Sequence, residues 1–266
     1  MNTFLKPGET IISASQVSSI FGQFACQNKY YWEKIQKVPR KPNTAFDIGK
    51  AIENAVTNYH VLGNMDPLIF EKTIEQLKTG TYADRFGTPK YGYKDLTQEE
   101  QKEYDESIAE TDHIALLSEY ANVVKPMKPI KSQLEIRFEI APGVILLMYL
   151  DYLFDIGIME LKTAGRSWSE ADVRKKIQHI IQVWGYQEQY GPRVGGQYHV
   201  LVKNKKPKID IIPIEVTDIE IEQVKNLLIN AVNTKKAFCV VPHERDKTNC
   251  MICGADHSKE FFFDKI

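Results

Sequence analysis

No apolar run in this chain approaches the roughly 20 residues that a membrane-spanning helix needs. The opening segment, MNTFLKPGET, also lacks the apolar core of a signal peptide. The sequence therefore predicts a cytoplasmic protein that has no membrane partner. In that reducing compartment the four cysteines are not expected to form structural disulfides.

The chain also lacks a linker rich in proline, glycine or serine, and no internal repeat is visible. At 266 residues it is long enough to bury one sizeable core. We therefore expect a single domain, 1–266, with a helical N-terminal part and insertion over about 1–130. A core over about 131–215 and a C-terminal helix with a cysteine-containing tail over about 216–266 complete the expected domain.

Neither sign of charge is in excess, since 34 lysines and arginines face 35 acidic residues and the net charge is −1. This excludes a general polyanion binder, but not nucleic acid, because binding depends on where the charge lies. Basic residues cluster around Lys203 and Lys205, whereas acidic residues concentrate in the segment TQEEQKEYDESIAE. The lysine cluster has two interpretations, a DNA-binding surface or an ordinary solvated one.

What the chain does have is the segment LDYLFDIGIMELKT, residues 150–163, which places Asp151 ahead of Glu160 and Lys162. The residues after Gly157 predict a short strand, in which successive side chains point to opposite faces. Glu160 and Lys162 then share one face, while the other face can pack into a core. Burying such charges costs several kcal/mol per ion unless they pair or hold a metal.

These residue types indicate metal-dependent phosphodiester hydrolysis. Two carboxylates that converge on one point, Asp151 and Glu160, form a hard-oxygen site suited to Mg²⁺ or Mn²⁺. A lysine beside the metal, Lys162, can hold a water molecule or stabilise the charge that develops on a phosphorane. Thr163 and Arg166 follow this strand and could reach backbone phosphates. The alternative is that the E-x-K triplet is only the solvated face of an amphipathic strand.

Hydrophobic periodicity and turn residues predict the remaining elements. The expected strands cover about 133–140, 144–154, 158–163, 198–203 and 209–214. The expected helices cover about 13–37, 46–59, 101–124, 170–190 and 218–237, with a further helix and a long loop over 61–100. This order fits a small mixed α/β core in which one helix crosses the catalytic edge of the sheet.

Four segments, in their order along the chain, resemble the RecB-type exonuclease branch of the PD-(D/E)XK nuclease superfamily, which includes phage and CRISPR-associated enzymes. The first is SASQVSSIFGQFACQNKYYWEKI, which is similar to the serine-rich opening and aromatic helix of that branch. The second is IGKAIENAV, which is similar to its G-x-x-x-H helix motif, and the third is the Asp151/Glu160-x-Lys162 stretch. The fourth is QVWGY at 182–186, which is similar to its Q-x-x-x-Y motif. The resemblance implies a restriction-endonuclease-like αβββαβ core, in which helices flank a mixed sheet and a helical insertion is present.

The resemblance also assigns roles to residues outside the central motif. Gln182 and Tyr186 would brace the catalytic centre and contact the scissile phosphate or a nearby nucleotide, although Tyr186 also suits a core position. Glu53 stands four residues after Gly49, where the pattern usually has histidine. It would be a third ligand for Mg²⁺ or Mn²⁺, and the alternative is an exposed helix glutamate.

The cysteines resemble the iron–sulphur subset of the RecB-like nucleases, in which one N-terminal and three C-terminal cysteines tie the chain ends together. Cys26, Cys239, Cys250 and Cys253 could hold a [4Fe–4S] cluster. Their spacing departs from that subset, because the cysteine expected soon after Cys253 is missing and Cys239 comes earlier. A Cys/His zinc site and a metal-free terminus are the alternatives.

Together these features predict a Mg²⁺- or Mn²⁺-dependent deoxyribonuclease, with an exonuclease of recombination, repair or phage replication as the favoured form. Its partners would be DNA and recombination or replication proteins, in the cytoplasm of a bacterial or phage-infected cell. One alternative is a non-catalytic DNA-binding or scaffold protein that keeps the fold, against which the complete Asp151/Glu160/Lys162 set argues. The other is a structure- or sequence-specific endonuclease, for which no separate recognition domain is apparent.

Overall fold

The computed structural model describes residues 10–14, 17, 32–33, 36–83, 91–191 and 194–238, with side chains of the last helix described to residue 233. The strands are β1 Thr10–Ile12, β2 Lys131–Ala141, β3 Val144–Phe154, β4 Gly157–Ala164, β5 Gly196–Val202 and β6 Lys208–Ile214. The helices are α1 Thr44–Leu62, α2 Leu68–Thr79, α3 Gln98–Ala109, α4 His113–Val123, α5 Glu170–Arg174, α6 Ile177–Tyr190 and α7 Asp218–Phe238, with a 3-10 turn at Tyr93–Asp95.

The strands form one mixed sheet. β2 pairs antiparallel with β3 along nearly its whole length, from Lys131 opposite Leu153 to Ala141 opposite Val144. The pairs β3–β4 and β5–β6 are antiparallel, whereas β4 and β5 are parallel. Helices α5 and α6 connect β4 to β5, since parallel neighbours need a crossover connection of this kind.

One edge of β3 is shared by two other strands. β1 pairs in parallel with the start of β3 at Val144–Leu146, and β4 pairs with its end at Tyr152–Phe154. Because β2 follows the other edge of β3, β1 and β4 must lie on the same edge. Among the described residues, the stretch 147–151 of β3 therefore has no paired strand on that side.

Helices cover both faces of this sheet. α6 and α7 pack on one face, in a core that includes Leu150, Ile181 and Leu228. α1, α2 and α4 pack on the opposite face, in a core that includes Ile52 and Leu161. Burying one large aliphatic side chain contributes roughly 1.5–3 kcal/mol, so these two cores hold the helices against the sheet.

The pairing of β2 with β3 is irregular at Asp151. Leu150 lies in the core under α6, but Tyr152 lies in the core under α1, although residues two apart on a regular strand share a face. Gln133, opposite Asp151 in the register of the flanking pairs, has a φ of 51°, which is uncommon for a residue other than glycine. The regular pleat is therefore interrupted where Asp151 projects from β3.

The predicted strands are confirmed to within two residues at each end. The predicted fold class is also confirmed, because a six-stranded mixed sheet flanked by helices agrees with a restriction-endonuclease-like core. Strand β1 is not predicted by the sequence, since three residues are too few for an alternating pattern to be recognised. The predicted helix over 13–37 lies mostly outside the described residues.

Two predicted helices are each divided in the structure. The helix expected over 101–124 is α3 followed by α4, because the Asp112 side chain accepts the Ala115 N–H at 2.9 Å and begins a new helix there. The helix expected over 170–190 is α5 followed by α6, with extended backbone at Lys176. α5 packs against β6 and α6 against β2, β3 and β4, which one straight helix could not do.

None of the helices in the described part of the chain has both the length and the apolar character needed to cross a membrane.

Candidate active site

Glu160 is the buried acid of β4, with a relative exposure of only 1%. Ile158 lies in the core under α6 and α7, whereas Met159 and Leu161 lie in the opposite core. Because side chains alternate along a strand, Glu160 faces the side of α6, as the sequence predicts. A carboxylate in such a place needs hydrogen-bond donors or cations around it.

Side chains from α6 and from β4 itself donate to Glu160. Gln182 Nε2 lies 2.7 Å from Oε2, and Gln178 Nε2 lies 2.6 Å from Oε1. The Lys162 ammonium also donates to Oε1. The two glutamines are four residues apart and so share one face of α6. Gln182 Nε2 further donates to the Tyr149 carbonyl at 3.1 Å, which ties α6 to the unpaired stretch of β3.

Asp151 projects from that same stretch of β3. Its Oδ2 accepts the Leu161 N–H at 3.0 Å, so the side chain is held against β4 next to Glu160. Burial and the neighbouring Glu160 charge raise the pKa of Asp151 well above its ordinary value, and the Lys162 charge opposes this only in part. Two neighbouring carboxylates, one buried and one half-buried, favour the binding of a cation between or beside them.

Lys162 is a charged ammonium rather than a base. Burial by itself would lower its pKa, but the charges of Glu160 and Asp151 outweigh that effect and raise the pKa above its ordinary value. The sequence alone does not indicate whether the pKa of Lys162 is raised or lowered, whereas the structure favours the raised pKa and the charged form. At neutral pH, Lys162 can therefore donate hydrogen bonds and offset negative charge, but it cannot accept a proton.

Glu53 reaches the site from α1, on the other side of the sheet. Gln133 Nε2 donates to its carboxylate, and the Tyr152 hydroxyl donates to its backbone carbonyl at 3.2 Å. The Glu53 charge also contributes to the raised pKa of Asp151. These contacts join Glu53 both to the irregular part of β2 and to the acidic pair.

α1 lies close to β4 at Gly49. A Cβ atom added at Gly49 would lie 3.4 Å from Thr163 Oγ1, in van der Waals contact with the strand's side chain. Since Glu53 is one turn further along the same helix, this close approach brings it toward the site. The spacing from glycine to acid in the sequence thus has a geometric reason.

These side chains line one cavity of about 1060 Å³, which we call the carboxylate cavity. It lies where β3 passes from β1 to β4. The predicted site residues that line it are Glu53, Asp151, Glu160, Lys162, Thr163 and Gln182.

The donor atoms fit a hard divalent cation in chemistry, since they are carboxylate oxygens next to a cavity that solvent can enter. Asp151 and Glu160 are the residues close enough to act together, as their mutual effect on the Asp151 pKa indicates. Within the described ranges, however, no cluster of three acidic, histidine or cysteine side chains is compact enough to hold one ion. Glu53 as a third direct ligand therefore stays a prediction.

Other predicted residues lie away from this cavity. Tyr186 packs against the core under α6 and its ring lies 4.9 Å from that of Tyr190, as in the core alternative. Arg166 forms two hydrogen bonds with Asp172, at 2.8 and 3.2 Å, and is held outside the cavity. A role for either in binding DNA remains a prediction.

Lys203 and Lys205 follow β5, and neither lines the carboxylate cavity. Burial lowers the pKa of Lys203, whereas Lys205 is exposed in the turn before β6. The cysteines predicted as cluster or zinc ligands, Cys26, Cys239, Cys250 and Cys253, lie outside the described residues, so that hypothesis also stays a prediction.

The fold brings further residues into the site. Gln178 lies one turn before Gln182 in the polar stripe that the sequence predicts, and the structure places its amide on Glu160. Other residues of the site are missed by sequence reasoning. Gln133 carries no motif, because its position depends on the irregular pairing of β2 with β3. Arg40, Phe46 and Tyr82 line the outer part of the cavity and come from segments that no pattern connects with β4.

The sheet and its helices define an α/β fold of the restriction-endonuclease-like kind, and comparison with known proteins agrees with this. The chain is similar to a protein of Eubacterium rectale described as "Putative exonuclease", with a TM-score of 0.53 and 16% identity over 91% of this chain and 86% of that one. At this identity the likeness shows a shared fold. No protein-family model and no curated protein match the chain.

Two structures of Rai1 from Scheffersomyces stipitis are also similar in part, one of them in complex with (3'-NADP)+ and a calcium ion. Their TM-scores are 0.24 and 0.25, at 12% and 14% identity, over 82% of this chain and 66% of theirs. Values this low carry no argument about fold or function.

Proposed function

We propose that this protein is a metal-dependent nuclease that hydrolyses DNA phosphodiester bonds. The observation that carries the proposal is the acidic pair of half-buried Asp151 and buried Glu160, beside the charged Lys162 in a cavity that is open to solvent. An acidic pair with a neighbouring ammonium is costly to bury, and it is useful mainly where a cation and a phosphate must be held together. The E. rectale protein of the same fold, described as "Putative exonuclease", supports the same class of activity.

The residues of the site would have different roles in hydrolysis. Asp151 and Glu160 would hold Mg²⁺ or Mn²⁺, and a divalent ion held there supplies a Lewis acid that lowers the pKa of the attacking water. Gln178 and Gln182 fix the orientation of the Glu160 carboxylate. Lys162 offsets the charge that develops on the phosphate oxygens, which is the role that its raised pKa permits.

Within this class we propose an exonuclease of the RecB-like kind, acting in recombination, repair or phage DNA metabolism. The order of the sequence motifs and the description of the E. rectale protein both favour cleavage from DNA ends. A sequence-specific endonuclease would need a surface that reads bases along a duplex, and no segment of the sequence suggests a separate recognition domain.

The experiment that tests the proposal compares wild type with Glu160→Gln on end-labelled linear DNA and on closed circular DNA. Glu215→Gln, which changes an exposed glutamate just after β6, is the matched control. We expect Mn²⁺-dependent and EDTA-sensitive release of nucleotides from linear DNA by wild type and by the control. Glu160→Gln should lose about 10²–10³-fold in rate, in keeping with the loss of one electrostatic group at a transition state.

Near-normal, EDTA-sensitive cleavage by folded Glu160→Gln would reject the assignment of the site. Cleavage of circular DNA by wild type would favour the endonuclease. Binding to DNA without cleavage under any of these conditions would favour the non-catalytic scaffold.

A further inference from the structure

A second cavity, of about 630 Å³, adjoins the carboxylate cavity and has a different lining. We call it the aromatic cavity because it is lined by the rings of Phe46, Tyr82, Tyr91, Tyr93 and Tyr104. Arg40, Phe46 and Tyr82 line both cavities, so the two spaces meet at these side chains. A bound molecule could therefore extend continuously from one cavity into the other.

The aromatic rings at the junction are accessible. Phe46, near the start of α1, is 66% exposed although it is a large apolar side chain. The Lys50 ammonium lies 5.5 Å from the centre of the Phe46 ring and 5.4 Å from that of Tyr82, so a cation lies over both rings. Aromatic faces beside a cation suit a ligand that is flat, aromatic and attached to a negative charge.

The inner rings have fixed positions. The Tyr104 hydroxyl donates to the buried Asp47 carboxylate at 2.9 Å, and the rings of Tyr93 and Tyr104 meet edge to face at 5.2 Å. The Lys78 ammonium lies 5.3 Å from the centre of the Tyr93 ring and forms an ion pair with Asp105 at 2.7 Å. These contacts hold the cavity walls in place before any ligand binds.

The charge of the lining is positive. Arg40, Lys41, Lys78 and Lys94 line the cavity, and Asp47 is the acidic residue among its described lining. Lys41 forms an ion pair with Glu100 at 2.7 Å, and Lys78 forms one with Asp105. Arg40 lines both cavities and Lys50 lies over the Phe46 and Tyr82 rings, so cationic side chains lie at the junction, where a backbone phosphate would pass.

We propose that the aromatic cavity binds an unpaired nucleotide of the DNA strand whose phosphodiester lies in the carboxylate cavity. This inference rests on the proposed nuclease function and adds a substrate class to it, namely single-stranded DNA or a single-stranded end. Aromatic rings can stack on any of the four bases, and cationic side chains can bind the backbone phosphates. Such a site therefore binds DNA of any sequence. In a duplex the faces of the bases are already stacked on each other, so Phe46 can reach a base only where the strand is unpaired.

The test measures DNA binding by the full-length protein through fluorescence anisotropy. The two labelled probes are a single-stranded 12-mer and a blunt duplex of the same sequence. EDTA is present so that cleavage cannot interfere. Phe46→Ala should weaken binding of the single strand about tenfold, as expected for the loss of one base-stacking ring. Phe46→Trp should keep the binding, and duplex binding by Phe46→Ala should be unchanged.

Leu62→Ala is the matched control, because Leu62 is 69% exposed and lies on the same helix as Phe46. It should bind both DNAs as wild type does. Equal loss on both DNAs, or no loss on the single strand, would overturn the proposal. Free thymidine monophosphate that competes as well as the 12-mer would also overturn it, since the site would then hold a mononucleotide and not a strand.

A cleavage assay separates failure of this inference from failure of the proposed function. If wild type cleaves DNA in Mn²⁺ and Phe46→Ala discriminates between single strand and duplex as wild type does, the nuclease stands and the cavity proposal fails. If wild type cleaves nothing, but Phe46→Ala still loses single-strand binding in EDTA, the nuclease fails and the cavity proposal is supported.

Discussion

At the scale of single residues, the acidic side chains of the site differ in what surrounds them. Glu160 accepts hydrogen bonds from two amides and an ammonium, and Asp151 accepts one from the backbone of β4. Glu53 comes from another layer of the fold, and its carboxylate accepts from Gln133. The first two are thus held as a pair, while Glu53 faces them across the cavity.

The role of Glu53 can be measured by metal titration of cleavage. If it is a ligand, Glu53→Gln should raise the Mg²⁺ concentration for half-maximal activity about tenfold or more, since altered metal ligation typically costs 10–100-fold in affinity. Glu53→His, which restores the usual residue of the resembled motif, should recover part of the activity, better with Mn²⁺. Glu135→Gln, an exposed change on β2 outside the cavity, serves as control. Titration curves of Glu53→Gln that coincide with wild type would show that the carboxylate does not bind the metal.

At the scale of elements, the site depends on where strands and helices end. The break at Lys176 lets α6 turn its polar face onto Glu160 while α5 packs against β6. The tight turn between β3 and β4 at Gly157 brings Asp151 and Glu160 onto adjacent strands. Gly157 has a φ of 126°, and the Ile158 N–H donates to the Gly195 carbonyl at 3.0 Å. A hydrogen bond therefore also joins this turn to the residue that precedes β5.

Gly157→Ala should be strongly destabilising. An added Cβ would lie 2.2 Å from the Gly195 carbonyl oxygen, and the positive φ disfavours any side chain. We expect a loss of about 3 kcal/mol or more in the free energy of unfolding, measured by urea denaturation. Gly195→Ala changes the other partner of this contact, but its Cβ would meet no atom within 4 Å. Its unfolding midpoint should stay close to wild type, and equal losses in both variants would contradict the explanation.

At the scale of the whole molecule, a buried polar network joins α1, α4 and β5. The Met127 N–H donates to His60 Nδ1 at 3.2 Å, so His60 carries its proton on Nε2 and donates to the Tyr120 hydroxyl at 3.0 Å. That hydroxyl can then donate to His199 Nδ1 at 2.9 Å. Both histidines are neutral in this arrangement, because burial lowers the pKa of each to about 4.

This network predicts a loss of stability in acid. The folded pKa of about 4 lies below the ordinary value of 6.5, so the unfolded chain binds protons first as pH falls. The stabilisation by neutral His199 is present above pH 6.5 and is lost progressively between about 6.5 and 4. The raised pKa of buried Asp47, about 6, acts in the opposite direction, so wild type alone does not isolate the histidines.

A comparison of variants separates the contribution of His199 to stability from that of Asp47. The destabilisation caused by His199→Leu should be smaller at pH 4.5 than at pH 7, by roughly 1–3 kcal/mol, because the variant has no histidine to protonate. The effect of Leu117→Ala, a buried apolar change in the same core, should not vary in this way. Thermal or urea unfolding at both pH values checks this, and a constant cost for His199→Leu would contradict the assignment.

Patterns in the sequence alone predict five of the six described strands, the mixed α/β class and the central acidic motif. The physical reason is that alternation of apolar side chains and the high cost of burying Asp151, Glu160 and Lys162 are local properties that the chain displays directly. The resemblance to known motifs added Gln182, whose amide does donate to Glu160. Strand geometry alone places Glu160 on the face opposite Met159 and Leu161, and the packing of α6 decides what covers that face.

Which residues from distant parts of the chain meet in the site depends on how the layers of the fold pack. Gln133 opposes Asp151 through an irregular strand pair, and Gln178 reaches Glu160 because the crossover helix is divided at Lys176. Phe46 lines the cavity because α1 packs beside β4. The direction of the Lys162 pKa was also undecided until the distance and burial of its two carboxylates were known. Such contacts depend on packing between layers. Hydrophobic periodicity is a local pattern, so it does not indicate which side chains from distant parts of the chain will be in contact.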